Sequence, residues 1–243
     1  MCKKTRSKEV FKSSSFMLVV YDSEINYQPI AGKQIVNLKV NLLKGACVDL
    51  NKRVVCGIDE AGRGPLAGPL VIAAAVLTSH IEGVDDSKRL SAKRRELLYE
   101  IIKSRSIYEI SIIKCTTIDK IGLSASIRSG LEQLLNSLDE KVHRKLGMSA
   151  RYIFDGNNSF GLDTIETLVK GDSMLAQIAA ASILAKVTRD KIMVDFDKLY
   201  SGYGFAKHFG YGTKEHKRAI FQKGLTPIHR KSFKGTSIPL INP

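Results

Sequence analysis

The chain has few features of a disulfide-rich, zinc-binding or membrane-spanning protein. Its four cysteines are widely separated, form no C-x-x-C pair and have no adjacent histidine at zinc-ligand spacing. No apolar run approaches the roughly 18 residues that a membrane-spanning helix needs. The stretch Phe16–Val20 is also too short for the core of a signal peptide. These absences favour a reduced, cytoplasmic protein without a membrane partner.

Acidic residues are also in short supply. The 243 residues contain 24 Asp and Glu against 38 Lys and Arg, which gives a formal net charge of +14 and a pI near 9.6. This balance favours a polyanionic partner, and nucleic acid is the better candidate because the membrane signals are weak. With 44% hydrophobic residues the chain can form a real core, and its length suits one large domain or a domain with an appendage.

Residues 1–50 differ in character from the rest of the chain. They are rich in Lys, Ser and Val and contain no motif to which chemistry can be attached. Two or three short strands between Met17 and Lys44, a poorly ordered arm, and a start codon placed too far upstream are equally compatible with this segment. We therefore divide the chain into an N-terminal extension (1–50), a core domain (51–199) and a basic C-terminal region (200–243).

From Arg53 onward, strand and helix signals alternate. The predicted strands are Arg53–Ile58, Leu70–Leu77, Ile107–Ile113 and Tyr152–Phe154. The predicted helices run from Ser91 to about Lys103, from Ser124 to about Leu138, and from Asp172 or Ser173 to Val194. We expect Leu162–Val169 to be a helix followed by a strand, and Asp85 and Asp86 to lie in a surface turn. This order predicts an α/β domain with a mixed sheet.

The most informative segment is Gly57–Pro69, with the sequence GIDEAGRGPLAGP. Asp59 and Glu60 directly follow an apolar strand, where an unpaired carboxylate is costly to bury. They therefore need a metal, a partner or water. The glycines that follow allow the backbone to approach a ligand closely or to turn with positive φ. A solvated acidic turn would explain the Asp-Glu pair alone, but it accounts poorly for the whole run.

Two further acids are expected near this pair. Asp155 follows the strand Tyr152–Phe154, and Asp172 stands at a helix start. Ligand sites in α/β sheets gather at strand ends, and a divalent cation removes the repulsion between clustered carboxylates. Oxygen ligands suit Mg²⁺ or Mn²⁺, and two such ions about 4 Å apart can promote phosphoryl displacement. Asp155 is equally compatible with an ordinary turn and Asp172 with a helix N-cap, whereas Asp190 is expected in a structural ion pair or cap.

The C-terminal region is basic and aromatic. Residues 201–236 contain eight Lys and Arg against one acid, Glu215, with six Phe and Tyr between them. Proteins use this combination to hold phosphates while stacking on sugars or bases. A solvated basic surface over a small aromatic core is the alternative. Tyr211, on a glycine-flanked loop, is the best candidate for an exposed contact.

The motifs together resemble one family. Gly57–Pro69 closely resembles the first motif of ribonuclease HII, the type 2 ribonucleases H. Further segments resemble other motifs of this family in the same order: Asp155-Gly156, Lys170-Gly171-Asp172, Ile178–Asp190, Tyr203-Gly204-Phe205, Gly210–Thr213 and His229–Phe233. The similarity covers about residues 53–235. The glycine loop after the acidic pair places the chain with type HII rather than with the sister type HIII.

The resemblance implies an RNase H-like mixed sheet flanked by helices, with a helical C-terminal extension. It implies endonucleolytic hydrolysis of RNA in RNA/DNA hybrids, including cleavage 5′ to single ribonucleotides in duplex DNA, and hence a part in DNA replication and repair. By this resemblance the two Mg²⁺ or Mn²⁺ ions would be held by Asp59, Glu60, Asp155 and Asp172. The residues expected to bind substrate are Gly62, Arg63 and Gly64 at the 2′-hydroxyl, Tyr211 at the sugar of the RNA–DNA junction, and Lys186 and Lys214.

Two rival functions remain at the level of sequence. Another nuclease of the RNase H-like class, such as a DNA junction resolvase, would share the acids, but Gly62-Arg63-Gly64 beside them argues against it. A non-catalytic hybrid-binding module would gain nothing from clustered negative charge facing phosphates. We expect a monomer, and the sequence does not identify a replication-factor partner.

Overall fold

The computed structural model describes residues 8–12, 16–21, 24–29, 39–43, 46–49, 51–84 and 90–236, with side chains for Asp49 and for the last two ranges. Asp85 and Asp86, predicted to lie in a surface turn, fall outside the described residues. In the part that is described, no helix is both long and apolar enough to cross a membrane.

Five N-terminal strands form an antiparallel meander. They are β1 (Lys8–Lys12), β2 (Phe16–Tyr21), β3 (Glu24–Pro29), β4 (Lys39–Leu43) and β5 (Ala46–Asp49). Three of them, β2 to β4, fall on the segment for which strands were one of three interpretations. The meander reaches the main sheet through the pairing of Val48 with Val54.

The main sheet is mixed and has five strands. They are β6 (Val54–Ala61), β7 (Leu70–Leu77), β8 (Ser106–Ile113), β9 (Ala150–Asp155) and β10 (Ile165–Leu168). Their order is β8-β7-β6-β9-β10, with β6 to β8 antiparallel and with β9 parallel to both β6 and β10. This confirms the predicted α/β class and mixed sheet.

The predicted end of the first strand of this sheet was wrong by three residues. The strand was expected to stop at Ile58, but β6 continues to Ala61. Its last residues still pair with β7, since Asp59 lies opposite Ala73 and Glu60 opposite Ile72. The acidic pair therefore stands on regular strand backbone, which holds it more rigidly than a turn would.

The described residues contain six α-helices. They are α1 (Ala92–Ser104), α2 (Cys115–Ile121), α3 (Leu123–Leu146), α4 (Ala176–Leu199), α5 (Phe205–His208) and α6 (Lys214–Lys223). Ser91 caps α1 as predicted, because its hydroxyl accepts a hydrogen bond from the Arg94 N–H at 3.3 Å.

The helix predictions differed from the structure in four segments. Helix α2 was not predicted, and α3 extends well beyond Leu138. The helix expected from Asp172 or Ser173 begins instead at Ala176, after a 3₁₀ turn at Gly171–Ser173. The expected helix in Leu162–Val169 is absent from this described segment, which contains only turns and β10. Pairing of β10 with β9 overrides the local helix signal there.

Each face of the sheet has its own hydrophobic core. Alternate residues of β7 point to opposite faces, so Ile72 packs with residues of α3 while Ala73 packs with residues of α1 and α4. All eight residues of β7 are buried. The architecture is therefore a sheet covered on both faces by helices.

Helix α4 lies unusually close to β6. A Cβ atom on Gly57 would come within 2.1 Å of the Ile178 nitrogen and 2.2 Å of the Gln177 carbonyl carbon. The three alanines Ala179–Ala181 are fully buried on the same helix, as expected from their small size. This contact brings α4 beside the end of β6 that carries the acidic pair.

Candidate active site

Asp59 and Glu60 stand near the carboxyl end of β6. Asp59 is 9% exposed, and its Oδ1 accepts a hydrogen bond from the Glu60 N–H at 2.7 Å. The hydroxyl of Ser182, on α4, also hydrogen-bonds to Asp59. Glu60 forms an ion pair with Arg63 at 3.1 Å. The local partners of the acidic pair are thus mostly single hydrogen bonds and one half-exposed arginine.

Asp155 comes to the same place from the neighbouring strand. Strand β9 is parallel to β6, and Ile58 lies opposite Phe154, so the residues that follow, Asp59 and Asp155, end up side by side. Oδ1 of Asp155 accepts a hydrogen bond from the Gly171 N–H at 2.9 Å. That bond ties the carboxylate to the 3₁₀ turn that contains Asp172.

Asp59, Glu60 and Asp155 line one open cleft with a volume of about 560 Å³. Gly62, Arg63, Gly64, Lys186 and Tyr211 line it as well. Asp172 is buried, at 4% exposure, and does not contribute to the lining, and Lys214 is exposed outside it. The structure therefore brings together eight of the ten residues predicted for the site. The roles of all ten remain predictions.

The acidic pair lies in an environment that disfavours its charged form. Burial, and then the negative charges of Glu60 and Asp155, raise the pKa of Asp59 from 3.8 to about 8. Burial also raises the pKa of Glu60, although Arg63 opposes this effect. Oε2 of Glu60 is one of three buried side-chain oxygen or nitrogen atoms in the described residues that lack a hydrogen-bond partner. The pair thus has too little positive charge around it.

This set of residues fits a divalent cation. Carboxylate oxygens are the ligands that Mg²⁺ and Mn²⁺ prefer, and a cation would stabilise the ionised form of Asp59 and provide a partner for Oε2 of Glu60. Within residues 49, 51–84 and 90–236, no three His, Cys, Asp or Glu side chains form a complete ligand set by themselves. Water and a phosphate oxygen would have to supply the remaining ligands, as is common for Mg²⁺.

The glycine loop between β6 and β7 (residues 62–69) forms one wall of the cleft. Gly62 has a φ of +99°, and a Cβ there would lie 2.2 Å from Nε of Arg189. Arg189 donates hydrogen bonds to the carbonyl oxygens of Ala67 and Pro69, at 3.1 and 2.9 Å. Arg230 donates to the carbonyl oxygens of Gly62, Arg63 and Gly68, at 2.6 to 3.1 Å. Two buried guanidinium groups thus hold the loop from behind.

Tyr211 lines the cleft beside the glycine loop. Its side chain is 46% exposed, as predicted, and its Cε1 lies 4.0 Å from the position of a Cβ on Gly64. The Arg189 guanidinium is 6.0 Å from the centre of its ring. Among the other aromatics, Tyr203 and Phe205 are buried, as expected for a small aromatic core under the basic surface.

The two lysines predicted to bind substrate differ in position. Nζ of Lys186 lies in the cleft, 2.8 Å from Oδ1 of Asp190 and 4.7 Å from the centre of the Phe209 ring. The structural ion pair expected for Asp190 is therefore confirmed. Lys214 begins α6 directly after Thr213, whose hydroxyl caps that helix.

Sequence reasoning missed four residues around the cleft: Arg95, Ser182, Arg189 and Arg230. Arg189 had a usable signal, because it lies four residues after Ala185 and four before Met193, both fully buried on α4. An arginine on the apolar stripe of a helix needs buried acceptors, which the glycine loop supplies. Arg95 reaches the cleft from α1, and nothing in its local sequence distinguishes it from its neighbours.

Comparison with known proteins gives a consistent result. The model of the family described as ribonuclease HII matches residues 56–236. A ribonuclease HII from Sulfurovum sp. (strain NBC37-1) is 46% identical over 180 residues, which cover 74% of this chain and 91% of that protein.

Two solved structures extend the comparison. The ribonuclease HII of Archaeoglobus fulgidus, solved as a complex with PCNA, is 25% identical with a TM-score of 0.58, over 74% of this chain and 95% of that one. Bst-RNase HIII in complex with Mn²⁺ has a TM-score of 0.58 at 17% identity, over 93% of this chain and 86% of that one. The second likeness is one of fold alone, and its coverage extends into the N-terminal strands. Together with the family match, the mixed sheet and the acidic cleft, these findings show that the chain belongs to the ribonuclease HII family and is a ribonuclease with an RNase H-like fold.

Proposed function

We propose that this protein cleaves the RNA strand of RNA/DNA hybrids and cuts 5′ to single ribonucleotides embedded in duplex DNA. The observation that carries this proposal is the placement of two different sets of groups in one cleft. The carboxylates of Asp59, Glu60 and Asp155 lie at the strand ends, and the glycine loop and Tyr211 form the wall beside them. A phosphate bound at the acids would place its neighbouring ribose near that wall.

Asp59, Glu60, Asp155 and Asp172 would hold two Mg²⁺ or Mn²⁺ ions. When bound, such ions stabilise the attacking and leaving oxygens of an in-line phosphoryl displacement. The protein groups hold the carboxylates in place: Ser182 and the Glu60 N–H on Asp59, and the Gly171 N–H on Asp155. Asp172 would approach through the 3₁₀ turn that Asp155 anchors.

The glycine loop would recognise the ribose. The 2′-hydroxyl is the group that distinguishes a lone ribonucleotide from its deoxy neighbours. A site built to hydrogen-bond one hydroxyl can reject a substrate lacking it by about 10⁴-fold. Gly62 and Gly64 have no side chains to shield their backbone groups from the cleft, and Tyr211 offers a half-exposed ring for the sugar at the RNA–DNA junction.

Basic groups around the cleft would hold the phosphate backbone. Lys186, Arg63 and Arg95 line the cleft, and Lys214 lies on the exposed start of α6. Residues 201–236 add further positive charge. We propose that residues 51–199 form the catalytic core and residues 200–243 contribute to substrate binding, in a monomeric, cytoplasmic protein. PCNA is the partner in the Archaeoglobus complex, and co-purification would test for a comparable partner here.

The decisive experiment uses a labelled DNA duplex with one ribonucleotide, incubated with Mg²⁺, Mn²⁺ or EDTA, beside an all-DNA duplex of the same sequence. Metal-dependent cutting 5′ to the ribonucleotide, with the DNA control intact, is the expected result. Cutting of branched DNA instead would favour a junction resolvase. Tight hybrid binding without any cutting would favour a non-catalytic module, and both results would overturn the proposal.

A second experiment concerns residues 1–50. Because the meander meets the main sheet only at Val48 and Val54 in the described strand pairings, we propose that the core folds and cleaves without it. Removing residues 1–50 should leave the melting temperature of the core and its activity on the one-ribonucleotide duplex largely unchanged. A large loss of either would make the extension an integral part of the enzyme.

A further inference from the structure

Three backbone segments meet behind the wall of the cleft. The Leu66 and Ala67 N–H groups donate to the Gly210 carbonyl at 2.8 and 3.3 Å, and the Gly68 N–H donates to the Ile228 carbonyl at 2.9 Å. The Arg230 N–H donates in return to the Leu66 carbonyl at 2.8 Å. The glycine loop, the residue before Tyr211 and the segment around His229-Arg230 are thus joined by main-chain bonds.

Arg230 controls the orientation of the loop's peptide planes. It is fully buried, and it donates to the carbonyls of Gly62 at 2.6 Å and Arg63 at 2.9 Å. Because the C=O and N–H of a trans peptide point in opposite directions, the N–H groups of Arg63 and Gly64 are turned away from Arg230. Both of these residues line the cleft. The hydrogen bonds from the Arg230 guanidinium therefore fix the direction in which the Arg63 and Gly64 N–H groups point.

His229 reaches Tyr211 through a second histidine. Nδ1 of His229 accepts a hydrogen bond from the Thr226 N–H at 2.8 Å, so the ring proton is on Nε2. Nε2 of His229 donates to Nε2 of His216 at 3.1 Å. His216 then keeps its proton on Nδ1 and donates it to the Tyr211 carbonyl at 2.9 Å. Each step of this relay is fixed by the one before it.

The surroundings keep this relay neutral. His216 and His229 are buried, and burial lowers the pKa of His216 and lowers that of His229 to about 4. The ring of His208 stacks on His216 with centres 4.5 Å apart, and Phe205 packs against all three histidines. The relay thus has one proton arrangement at neutral pH, which suits a rigid support.

We propose that the adjacent residues His229 and Arg230 are positioning residues for ribose recognition. Arg230 orients the peptides of Gly62–Gly64, and His229 acts through His216 on Tyr211. These two adjacent residues then fix the spacing between the Gly62–Gly64 peptides and Tyr211, although they do not themselves line the cleft. This inference rests on the proposed function, since it concerns how that site selects its substrate.

The test compares two substrates for each variant, the one-ribonucleotide duplex and a long RNA/DNA hybrid. Arg230→Lys keeps the charge but cannot form the hydrogen bonds of the guanidinium, and His229→Leu breaks the relay. Loss of a supporting partner typically costs about 10–100-fold in activity, and we expect a loss at the lower end of this range, about tenfold in kcat/KM, on the one-ribonucleotide duplex. The loss on the hybrid should be several-fold smaller, because a hybrid offers a ribose at every position and so tolerates a displaced site. His229→Gln, whose amide can donate to His216, should recover most of the lost selectivity.

Leu138→Ala is the control for stability. Leu138 is fully buried on α3, away from the cleft, so this change should lower the melting temperature and affect both substrates in the same proportion. All assays are run below the lowest melting temperature of the set. If Arg230→Lys does not fold, the His229→Leu and His229→Gln pair still decides the question.

The outcomes distinguish a failure of the proposed function from a failure of the positioning role. If the wild-type protein does not cut the one-ribonucleotide duplex, the proposed function fails. If the wild type cuts it, but Arg230→Lys and His229→Leu change both substrates equally, as Leu138→Ala does, then the two residues are only structural and the inference is overturned. A selective loss, restored by His229→Gln, supports positioning.

Discussion

The cleft has an acidic wall, formed by Asp59, Glu60 and Asp155, and a glycine wall, formed by the glycine loop and Tyr211. The two walls differ in how well their polar groups are paired. On the acidic wall, Asp59 carries a pKa raised to about 8, and Oε2 of Glu60 is buried without a hydrogen-bond partner. On the glycine wall, Arg230 makes four hydrogen bonds to three carbonyls, and both histidines of the relay have partners on each ring nitrogen. One wall is electrostatically incomplete, and the other has its polar groups paired.

This difference suggests a division of labour. An incomplete wall gains free energy when cations and phosphate arrive, so it suits the part of the site that performs chemistry. A wall that is already paired cannot rearrange cheaply, because breaking a buried hydrogen bond leaves a group unsatisfied at a cost of about 1–3 kcal/mol. It therefore suits the part that, in the proposed function, distinguishes a ribose from a deoxyribose by one hydroxyl.

The largest effect is expected from removing a charge on the acidic wall. Asp59→Asn should lower cleavage by more than about 100-fold, beyond the usual loss for an outer partner of a metal site, while binding of hybrids is retained. Cleavage rates and fluorescence anisotropy with a labelled hybrid would measure the two. Asp163→Asn, which changes an exposed acid outside the cleft, is the control. Full activity of Asp59→Asn would refute the assignment of the metal site.

The acidic wall should also make stability and metal binding depend on pH. The pKa of Asp59 rises from 3.8 to about 8 on folding, so between these values the folded protein binds more protons than the unfolded chain. Stability without metal should therefore be highest at low pH within this window and fall as pH rises through it. Divalent-metal affinity should rise by about tenfold per pH unit below pH 8, because binding releases this proton.

Thermal unfolding and calorimetric titration with Mn²⁺ at several pH values would measure both trends. In Asp59→Asn the group no longer titrates, so the melting temperature without metal should vary less with pH than in the wild type. A metal affinity that is independent of pH between about 6 and 8 would contradict the picture of a protonated, incomplete acidic wall.

A smaller effect is expected from the glycine wall. Tyr211→Ala should reduce cleavage at single ribonucleotides by about tenfold, in line with stacking contributions of about 1–3 kcal/mol. The melting temperature should change little, because the side chain is half-exposed. Phe221→Ala removes another exposed aromatic, on α6 and outside the cleft, and should leave cleavage unaltered. Parallel losses of stability and activity in Tyr211→Ala would make Tyr211 a core residue instead.

The smallest effect should come from the basic residues that line the cleft. Lys186→Ala should weaken hybrid binding uniformly and reduce the slope of log K against log salt by about one. Lys198→Ala, on the same helix and paired with Asp195 at 2.9 Å, should leave the slope unchanged. Binding titrations at four or more salt concentrations would show this, and an unchanged slope for Lys186→Ala would remove it from the phosphate contacts.

The sequence predicted the residues that line the two walls better than the residues that support them. Asp59, Glu60 and Asp155 were identified because acids next to apolar strands are conspicuous and because strand ends converge in this kind of sheet. Asp172 was expected at a helix start, but it lies in a 3₁₀ turn, four residues before α4 begins at Ala176. The local signals for these two conformations are alike, and only the packing of α4 on β6 separates them.

The supports of the glycine wall could not be predicted in the same way. Arg230 is separated from Gly62 by 168 positions, and its function depends on a carbonyl arrangement that exists only after folding. His216 and His229 looked like ordinary members of a basic, aromatic segment. The resemblance covered the segments that contain His229 and Arg230 without giving them a role, whereas the distances between their atoms supply one.

The glycine at position 57 has a consequence for the width of the cleft. Its single hydrogen is the spacer between β6 and the first turn of α4, where any larger group would overlap main-chain atoms. Farther along, the same helix carries Ser182, Lys186 and Arg189 to the cleft. A methyl group at position 57 would therefore push the first turn of α4 away from β6 and displace the residues that α4 carries to the cleft. This would widen the space that, in the proposed function, holds a phosphate and its ribose.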